Sequence, residues 1–191
     1  MRSTASVEEQ ESAILEAAKT EFEHHGLRKS SIDDVANAAG VSRSTLYRRF
    51  PNKDALLWAV GERVARATLI DIEEATAGHG PKQAMVEAFC AGVRAINRAP
   101  LYRRILLEES ALPRDMINSA RRWAIDTISI KVTKVLRRAG STMPDDELSE
   151  VGELLVRIVV SYFELRSDRI PFDDDAAVRR FAEKHLAVLV H

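Results

Sequence analysis

Apolar residues recur along this chain at intervals of three and four, the spacing of a helix that buries one face. No stretch shows the strict alternation of apolar and polar residues that indicates a half-buried strand, and no turn dipeptide typical of hairpins separates two apolar runs. All six prolines fall where the helical spacing is interrupted. The pattern therefore predicts an all-α protein of about nine helices.

Proline, glycine and acidic residues predict where these helices begin and end. The first helix is expected from Val7 to His25, ended by Gly26. The second and third helices are predicted to start at Ile32 and Arg43. The next four are predicted over 53–77, 81–98, 100–109 and 113–139. The eighth is predicted to start at Asp145 and the ninth to follow Asp175.

The segment from residue 30 to residue 53 has the pattern of a helix-turn-helix, with two short amphipathic stretches that meet at a glycine. Ser31 and Asp34 predict a capping box at the start of the first helix. Gly40 supplies the left-handed residue that ends it. Ser42 then caps the second helix.

The second helix of this pair is predicted to expose a polar and basic face. Leu46 and Phe50 are its inward positions, and the outward ones are Arg43, Ser44, Thr45, Tyr47 and Arg48. No acidic residue occurs between Ser42 and Lys53, which leaves a local patch of four cations, Arg43, Arg48, Arg49 and Lys53, in a chain of net charge -1. Cations and hydroxyls on one helix suit the phosphates and base edges of duplex DNA, although a solvated basic helix has the same composition.

These residues closely resemble the N-terminal domain of the TetR/AcrR family of bacterial transcriptional regulators. The similarity extends from about residue 11 to residue 60 and is carried by Phe22, Gly26, Ser31, Ile32, Val35, Ala36, Ala39, Gly40, Val41, Ser42, Thr45, Leu46, Tyr47, Phe50, Lys53 and Leu56.

The resemblance implies a helix-turn-helix DNA-binding domain over residues 1–52 and an effector-binding and dimerisation domain over residues 53–191. It also implies that residues 42–48 enter the major groove and that Ser31, Tyr47 and Lys53 hold phosphates. Arg49 departs from the family, where histidine is very common, and is expected to add a phosphate contact or to alter the operator. The implied function is a ligand-responsive repressor that a small effector releases from DNA.

The predicted helix after Asp145 is apolar around most of its circumference, so it must be buried on more than one side. Its own domain can cover one side, and a second copy of the chain can cover the other. The predicted homodimer interface comprises Leu155, Val159, Tyr162, Val178, Phe181 and Leu189. The alternative is that this helix is central in a monomer. A twofold dimer would place two recognition helices about 34 Å apart and predicts a palindromic operator.

The predicted helices between residues 81 and 164 carry apolar and aromatic residues that suit an apolar or aromatic effector. The candidate ligand-binding residues are Phe89, Cys90, Val93, Tyr102, Leu106, Trp123 and Phe163. Ordinary core packing accounts for the same pattern. Gly92 and Gly152 interrupt otherwise regular helices, which indicates either a cavity or close helix contact.

Other classes of function have little support in the sequence. The single cysteine, Cys90, excludes an intramolecular disulfide and has no base near it in the sequence, so an enzyme is not expected.

His24 and His25 are adjacent on a helix, where their side chains diverge, and neither a metal site nor a cofactor is predicted. No signal peptide or membrane span is indicated, so a cytoplasmic protein is expected. A helical small-molecule-binding protein and a transcriptional activator are the alternatives.

Overall fold

The computed structural model describes residues 6–99, 101, 114–165 and 167–191. Within these residues the fold is all-α, which confirms the predicted fold class. An isolated antiparallel β-bridge joins Ser167 and Ile170. The predicted helix over 100–109 lies outside the described residues, as do Tyr102 and Leu106. No helix in the described ranges has the length and apolar character needed to cross a membrane.

Eight helices are described, most of them within a few residues of their predicted bounds. They are α1 (Val7–Lys29), α2 (Ile32–Ala38), α3 (Arg43–Arg49), α4 (Lys53–Thr76), α5 (Pro81–Arg98), α6 (Arg114–Arg138), α7 (Asp145–Glu164) and α8 (Asp175–Phe181). After α8 the chain continues through a π-helical turn over Ala182–Leu186 and a 3-10 turn over Ala187–Leu189.

Local capping chemistry explains several of these bounds. Ser6 and Glu9 form a reciprocal capping box at the start of α1, with N···O distances of 3.1 and 2.6 Å. Gly26 has a φ of 74° and interrupts α1 at the predicted helix end, but α1 continues beyond it to Lys29. Gly40, with a φ of 66°, occupies the left-handed region after α2, where a residue with a Cβ would be strained.

The chain divides into two compact units within α4, between Val64 and Ala65. The first unit contains α1 to α3 and the start of α4. Its buried apolar side chains are Ile14, Leu15, Ala18, Phe22, Leu27, Val35, Ala36, Leu46, Phe50, Leu56, Leu57 and Val60. The contacts among the first three helices are the basis of the candidate site described below.

The core of the second unit contains an aromatic cluster, defined here as Phe89, Tyr162, Phe163, Phe172 and Phe181. Phe172 is central: its ring stacks on that of Tyr162 at 4.3 Å and meets that of Phe89 edge-on at 5.7 Å, measured between ring centroids. Phe181 lies 5.8 Å from Phe89 by the same measure. These rings join α5, α7 and α8 to the segment that follows α7.

A charged clasp, defined here as Glu87 with its partners Arg179 and Gln83, reinforces the packing of α5 against α8. The two terminal nitrogens of Arg179 donate to the two carboxylate oxygens of Glu87 at 2.6 and 2.8 Å, and Gln83 donates to Glu87 at 2.7 Å. The bonds from Arg179 hold the pKa of Glu87 below its usual value, against the opposing effect of burial. They also raise the pKa of Arg179. The clasp is therefore charged throughout the physiological range.

Candidate nucleic-acid interface

Helix α3 is anchored on one side and open to solvent on the other. Leu46 is fully buried and Phe50 nearly so, as the sequence predicts. The Ser42 hydroxyl accepts from the Thr45 backbone N–H at 3.1 Å, which caps the helix. Two hydrophobic anchors and a cap thus hold a seven-residue helix that would be unstable alone.

The outer face of α3 carries the groups that the sequence predicted. Arg43, Ser44 and Arg48 are exposed, and Tyr47 is 47% exposed despite its large apolar ring. The hydroxyl of Ser42 lies 2.9 Å from that of Ser44 and also from that of Thr45. The face therefore combines guanidinium groups, hydroxyls and a phenol, all of which can bond to phosphates or base edges.

Three of the four predicted cations are held within the chain. The Arg43 terminal nitrogen Nη2 lies 2.5 Å from Oδ2 of Asp33 on α2. The pair remains accessible, because the Arg43 side chain is 69% exposed and that of Asp33 is 40% exposed. Arg48 forms no ion pair with the described part of the chain, and the other two cations contact α1 and the turn that follows it.

The comparisons with known proteins agree with this geometry. The family model for bacterial regulatory proteins of the tetR family matches residues 14–60, which cover most of α1, all of α2 and α3 and the start of α4. The chain contains a TetR-family N-terminal domain. Its relatives in that family are transcriptional regulators, which are not enzymes.

Two curated relatives and one solved structure illustrate the similarity. The probable acrEF/envCD operon repressor of Escherichia coli K12 is 33% identical over 98 residues, which cover 49% of this chain and 43% of that protein. The HTH-type regulator EthR of Mycobacterium tuberculosis H37Rv is 42% identical over 57 residues, or 30% of this chain and 26% of EthR. The chain thus spans less than half the length of either relative.

The crystal structure of the TetR family repressor AlkX from Dietzia sp. strain DQ12-45-1b has the same fold, with a TM-score of 0.64. It is 22% identical, and the superposition covers 94% of each chain.

Arg49, at the position where the resemblance led us to expect histidine, contacts α1. Its terminal nitrogens lie 3.4 Å from Glu11 Oε2 and 3.4 Å from Gln10 Oε1, and the side chain is 14% exposed. The geometry favours a structural contact between α3 and α1 over the expected phosphate contact. The partner is 38 residues away, so helical spacing gave no signal for it.

Lys53 begins α4, as predicted, and its ammonium is already bonded. Nζ donates to the backbone carbonyl of Ser30 at 2.8 Å. Burial lowers the pKa of Lys53, and the nearby carboxylates of Glu21 and Asp54 partly offset this effect. The bond to Ser30 uses one of the three N–H groups of this ammonium, and the other two could still reach a DNA phosphate.

Ser31 caps α2, but the expected capping box is only half formed. Its hydroxyl accepts from the Asp34 N–H at 3.3 Å, and its own N–H donates to Glu21 Oε1 of α1 at 3.0 Å. Glu21 thus takes the place expected for Asp34. Sequence reasoning missed Glu21 because it considered only the local partner three residues ahead.

The described candidate ligand residues lie in the second unit. Phe89, Cys90 and Val93 are buried in its core, while Trp123 and Phe163 are partly buried. The ring of Phe163 lies 6.3 Å from that of Phe172. Burial raises the pKa of the Cys90 thiol, which leaves it less nucleophilic than a free cysteine.

The predicted dimer residues pack within their own chain. Leu155, Val159 and Val178 are buried in the core of the second unit, whereas Tyr162, Phe181 and Leu189 are partly buried against it. Leu155, Val159 and Val178 therefore leave little surface for a partner, whereas the interface role of Tyr162, Phe181 and Leu189 stays a prediction. A helix that is apolar nearly all round does not reveal which side faces its own domain. The exposed large apolar residues in this region are Leu154, Leu165 and Val188.

Proposed function

We propose that this protein is a sequence-specific DNA-binding transcriptional regulator of the TetR family that places α3 in the major groove. The observation that carries the proposal is the exposed face of α3, held by Leu46 and Phe50 within the segment that matches the family. An α-helix fits the major groove, where Arg43 and Arg48 can donate to guanine or phosphate. Ser44 and Tyr47 add hydroxyl groups on the same exposed face.

The regulator is proposed to act as a homodimer on a palindromic operator. Twofold symmetry would give two α3 helices one turn of DNA apart, which matches two half-sites. The exposed apolar side chains Leu154, Leu165 and Val188 offer surface that a second subunit could bury. Such a protein would act in the cytoplasm, where bacterial DNA is found.

Repression relieved by a small apolar or aromatic effector is the proposed mode of regulation. The name of the Escherichia coli relative, an operon repressor, supports the sign of the effect. The aromatic cluster and the apolar core around Phe89 make the second unit suitable for an apolar ligand. Helix α4 belongs to both units, so a change of its position on effector binding would reach the DNA-binding unit. A difference of about 1–3 kcal/mol between the two states is typical of such coupling.

The test begins with selection of a duplex from a random library by the parent protein, followed by titration using fluorescence anisotropy at several salt concentrations. We expect Arg43→Ala and Tyr47→Ala each to weaken binding to the selected duplex by about fivefold or more, as expected for lost base or phosphate contacts of about 1–3 kcal/mol. Circular dichroism should show that both variants stay folded, because neither side chain is buried.

Arg122→Ala is the matched control, since it removes an exposed arginine from α6 in the second unit. It should leave binding unchanged. If Arg43→Ala and Tyr47→Ala bind the selected duplex like the parent protein, the assignment of α3 as the DNA-binding face is wrong. A reporter gene placed behind the selected duplex would distinguish repression from activation.

A further inference from the structure

The ion pair between Arg43 and Asp33 has a different character from the other contacts of the basic patch. Arg49 and Lys53 are partly covered and join α3 and α4 to the rest of the first unit. The Arg43–Asp33 pair is open to water on both sides. Exposed pairs contribute little to folding because water and salt screen them. The main effect of Asp33 is therefore on the charge that Arg43 presents to solvent.

We propose that Asp33 is a specificity-determining residue that reduces binding to non-cognate DNA by neutralising Arg43. The proposal rests on the proposed function, in which Arg43 contacts DNA. On a random sequence Arg43 has only phosphates to bind, and the adjacent carboxylate both competes for the guanidinium and repels the phosphate. Charge neutralisation of phosphates supplies nearly all of non-specific affinity, so Asp33 lowers that affinity most.

Binding at the cognate site is affected differently because of guanidinium geometry. The contact with Asp33 joins Nη2 of Arg43 to one carboxylate oxygen. A guanidinium carries five donors in a planar fork, so it can retain this contact while other donors reach a base edge. Asp33 then orients the fork toward the base. Loss of the carboxylate frees Arg43 for any phosphate and removes the orientation.

The experiment compares Asp33→Asn with the parent protein on two probes, a random-sequence duplex of about 30 base pairs and the duplex selected by the parent protein. At about 0.1 M salt, we expect Asp33→Asn to bind the random duplex roughly three- to tenfold more tightly. The slope of log K against log salt should steepen by about 0.9 for each DNA-bound α3. Affinity for the selected duplex should rise less or fall, so the specificity ratio decreases.

Asp34→Asn is the matched control, because Asp34 carries the same charge on the next residue of α2, is exposed and forms no ion pair with the described residues. Arg43→Ala provides the second background. With Arg43 absent, Asp33→Asn should change random-duplex binding no more than Asp34→Asn does. Asp33→Ser replaces Asp33→Asn if the amide variant unfolds, and the same outcomes apply.

The outcomes separate this inference from the proposed function. If the parent protein binds neither probe in a salt-dependent way, the proposed function fails, and the inference with it. If the parent protein binds both probes but Asp33→Asn and Asp34→Asn give equal slopes and equal random-duplex affinities, only the role of Asp33 is overturned. A smaller specificity ratio for Asp33→Asn, absent in the Arg43→Ala background, supports it.

Discussion

Gly152 is a residue at which α7 comes into close contact with α6. A Cβ at this position would lie 2.7 Å from Thr133 Oγ1 and 3.0 Å from the backbone oxygen of Ser129. The threonine hydroxyl cannot easily turn away, because it donates to that same backbone oxygen at 3.0 Å. Gly92 shows the opposite situation, since a Cβ there would meet no described atom within 4 Å. Close helix contact thus explains Gly152 and does not explain Gly92.

The two glycines give opposite predictions for stability. Gly152→Ala should lower the free energy of unfolding by about 1–3 kcal/mol, because the methyl group overpacks the contact with Thr133. Gly92→Ala should raise it by up to about 1 kcal/mol through helix propensity. Urea unfolding followed by circular dichroism measures both. Equal changes for the two variants would show that the contact at Gly152 does not restrict side-chain size.

At the scale of elements, interhelical contacts determine how the helices are held in each unit. Glu87 on α5 and Arg179 on α8 form a two-bond pair across the helices. Arg63 on α4 donates to the backbone oxygen and hydroxyl of Ser12 on α1, at 3.0 Å in each case. In the second unit, Glu73 on α4 pairs with Lys131 and Arg138 of α6. These contacts link segments that are distant in the sequence.

The Glu87 clasp predicts a pH dependence of stability. The pKa of Glu87 is lowered in the folded state, so its stabilising contribution is present above the unfolded pKa of about 4.3 and is lost as pH falls through the folded value. Glu87→Gln should lower the free energy of unfolding by about 1 kcal/mol at pH 7. The effect is this small because water reaches Arg179 and screens the pair. The variant should also lose less stability than the parent protein on acidification. Urea midpoints measured at pH 7 and at lower pH test both effects.

Glu153→Gln is the control for the clasp, because Glu153 forms an exposed pair with Arg157 one turn along α7. Loss of this exposed pair should change the free energy of unfolding by less than about 0.5 kcal/mol. If Glu87→Gln behaves like Glu153→Gln at pH 7 and has the acid sensitivity of the parent protein, the clasp does not stabilise the second unit.

The features of the elements that sequence could predict are those with local causes. Gly40 ends α2 and Ser42 caps α3 because both effects act within one turn of the chain. The partner of Arg49 and the carboxylate on the Ser31 N–H come from α1 and depend on tertiary packing. The sequence indicates four cations on and just after α3, but it does not indicate the pairing of Arg43 with Asp33, because spacing within α3 carries no information about α2.

At the scale of the whole molecule, the predicted all-α fold is confirmed, whereas the way a second copy would bind is still a proposal. Sequence could show that α7 was apolar around most of its surface but not which residues faced inward. Leu155 is 3% exposed and its neighbour Leu154 is 45% exposed. One residue of helix rotation, about 100°, thus separates a core position from a surface position.

The two leucines separate dimerisation from folding. Leu154→Glu should weaken the proposed homodimer by at least roughly tenfold, since a charge would be buried in an apolar interface, and should leave monomer stability nearly unchanged. Leu155→Ala should lower the free energy of unfolding by about 2–5 kcal/mol. Sedimentation velocity over a range of concentrations and urea unfolding give the two readouts. A dimer that is unaffected by Leu154→Glu would show that this side chain lies outside the interface.

The lone thiol of the chain offers a built-in reporter for these variants. Cys90 is the single cysteine of the sequence, is buried, and has a pKa raised by burial. An alkylating reagent can modify it only when the surrounding helices separate, so the labelling rate follows the opening of the second unit. Mass spectrometry of the peptide that contains Cys90 would then compare how often the second unit opens in the absence and in the presence of candidate effectors. No engineered probe is needed.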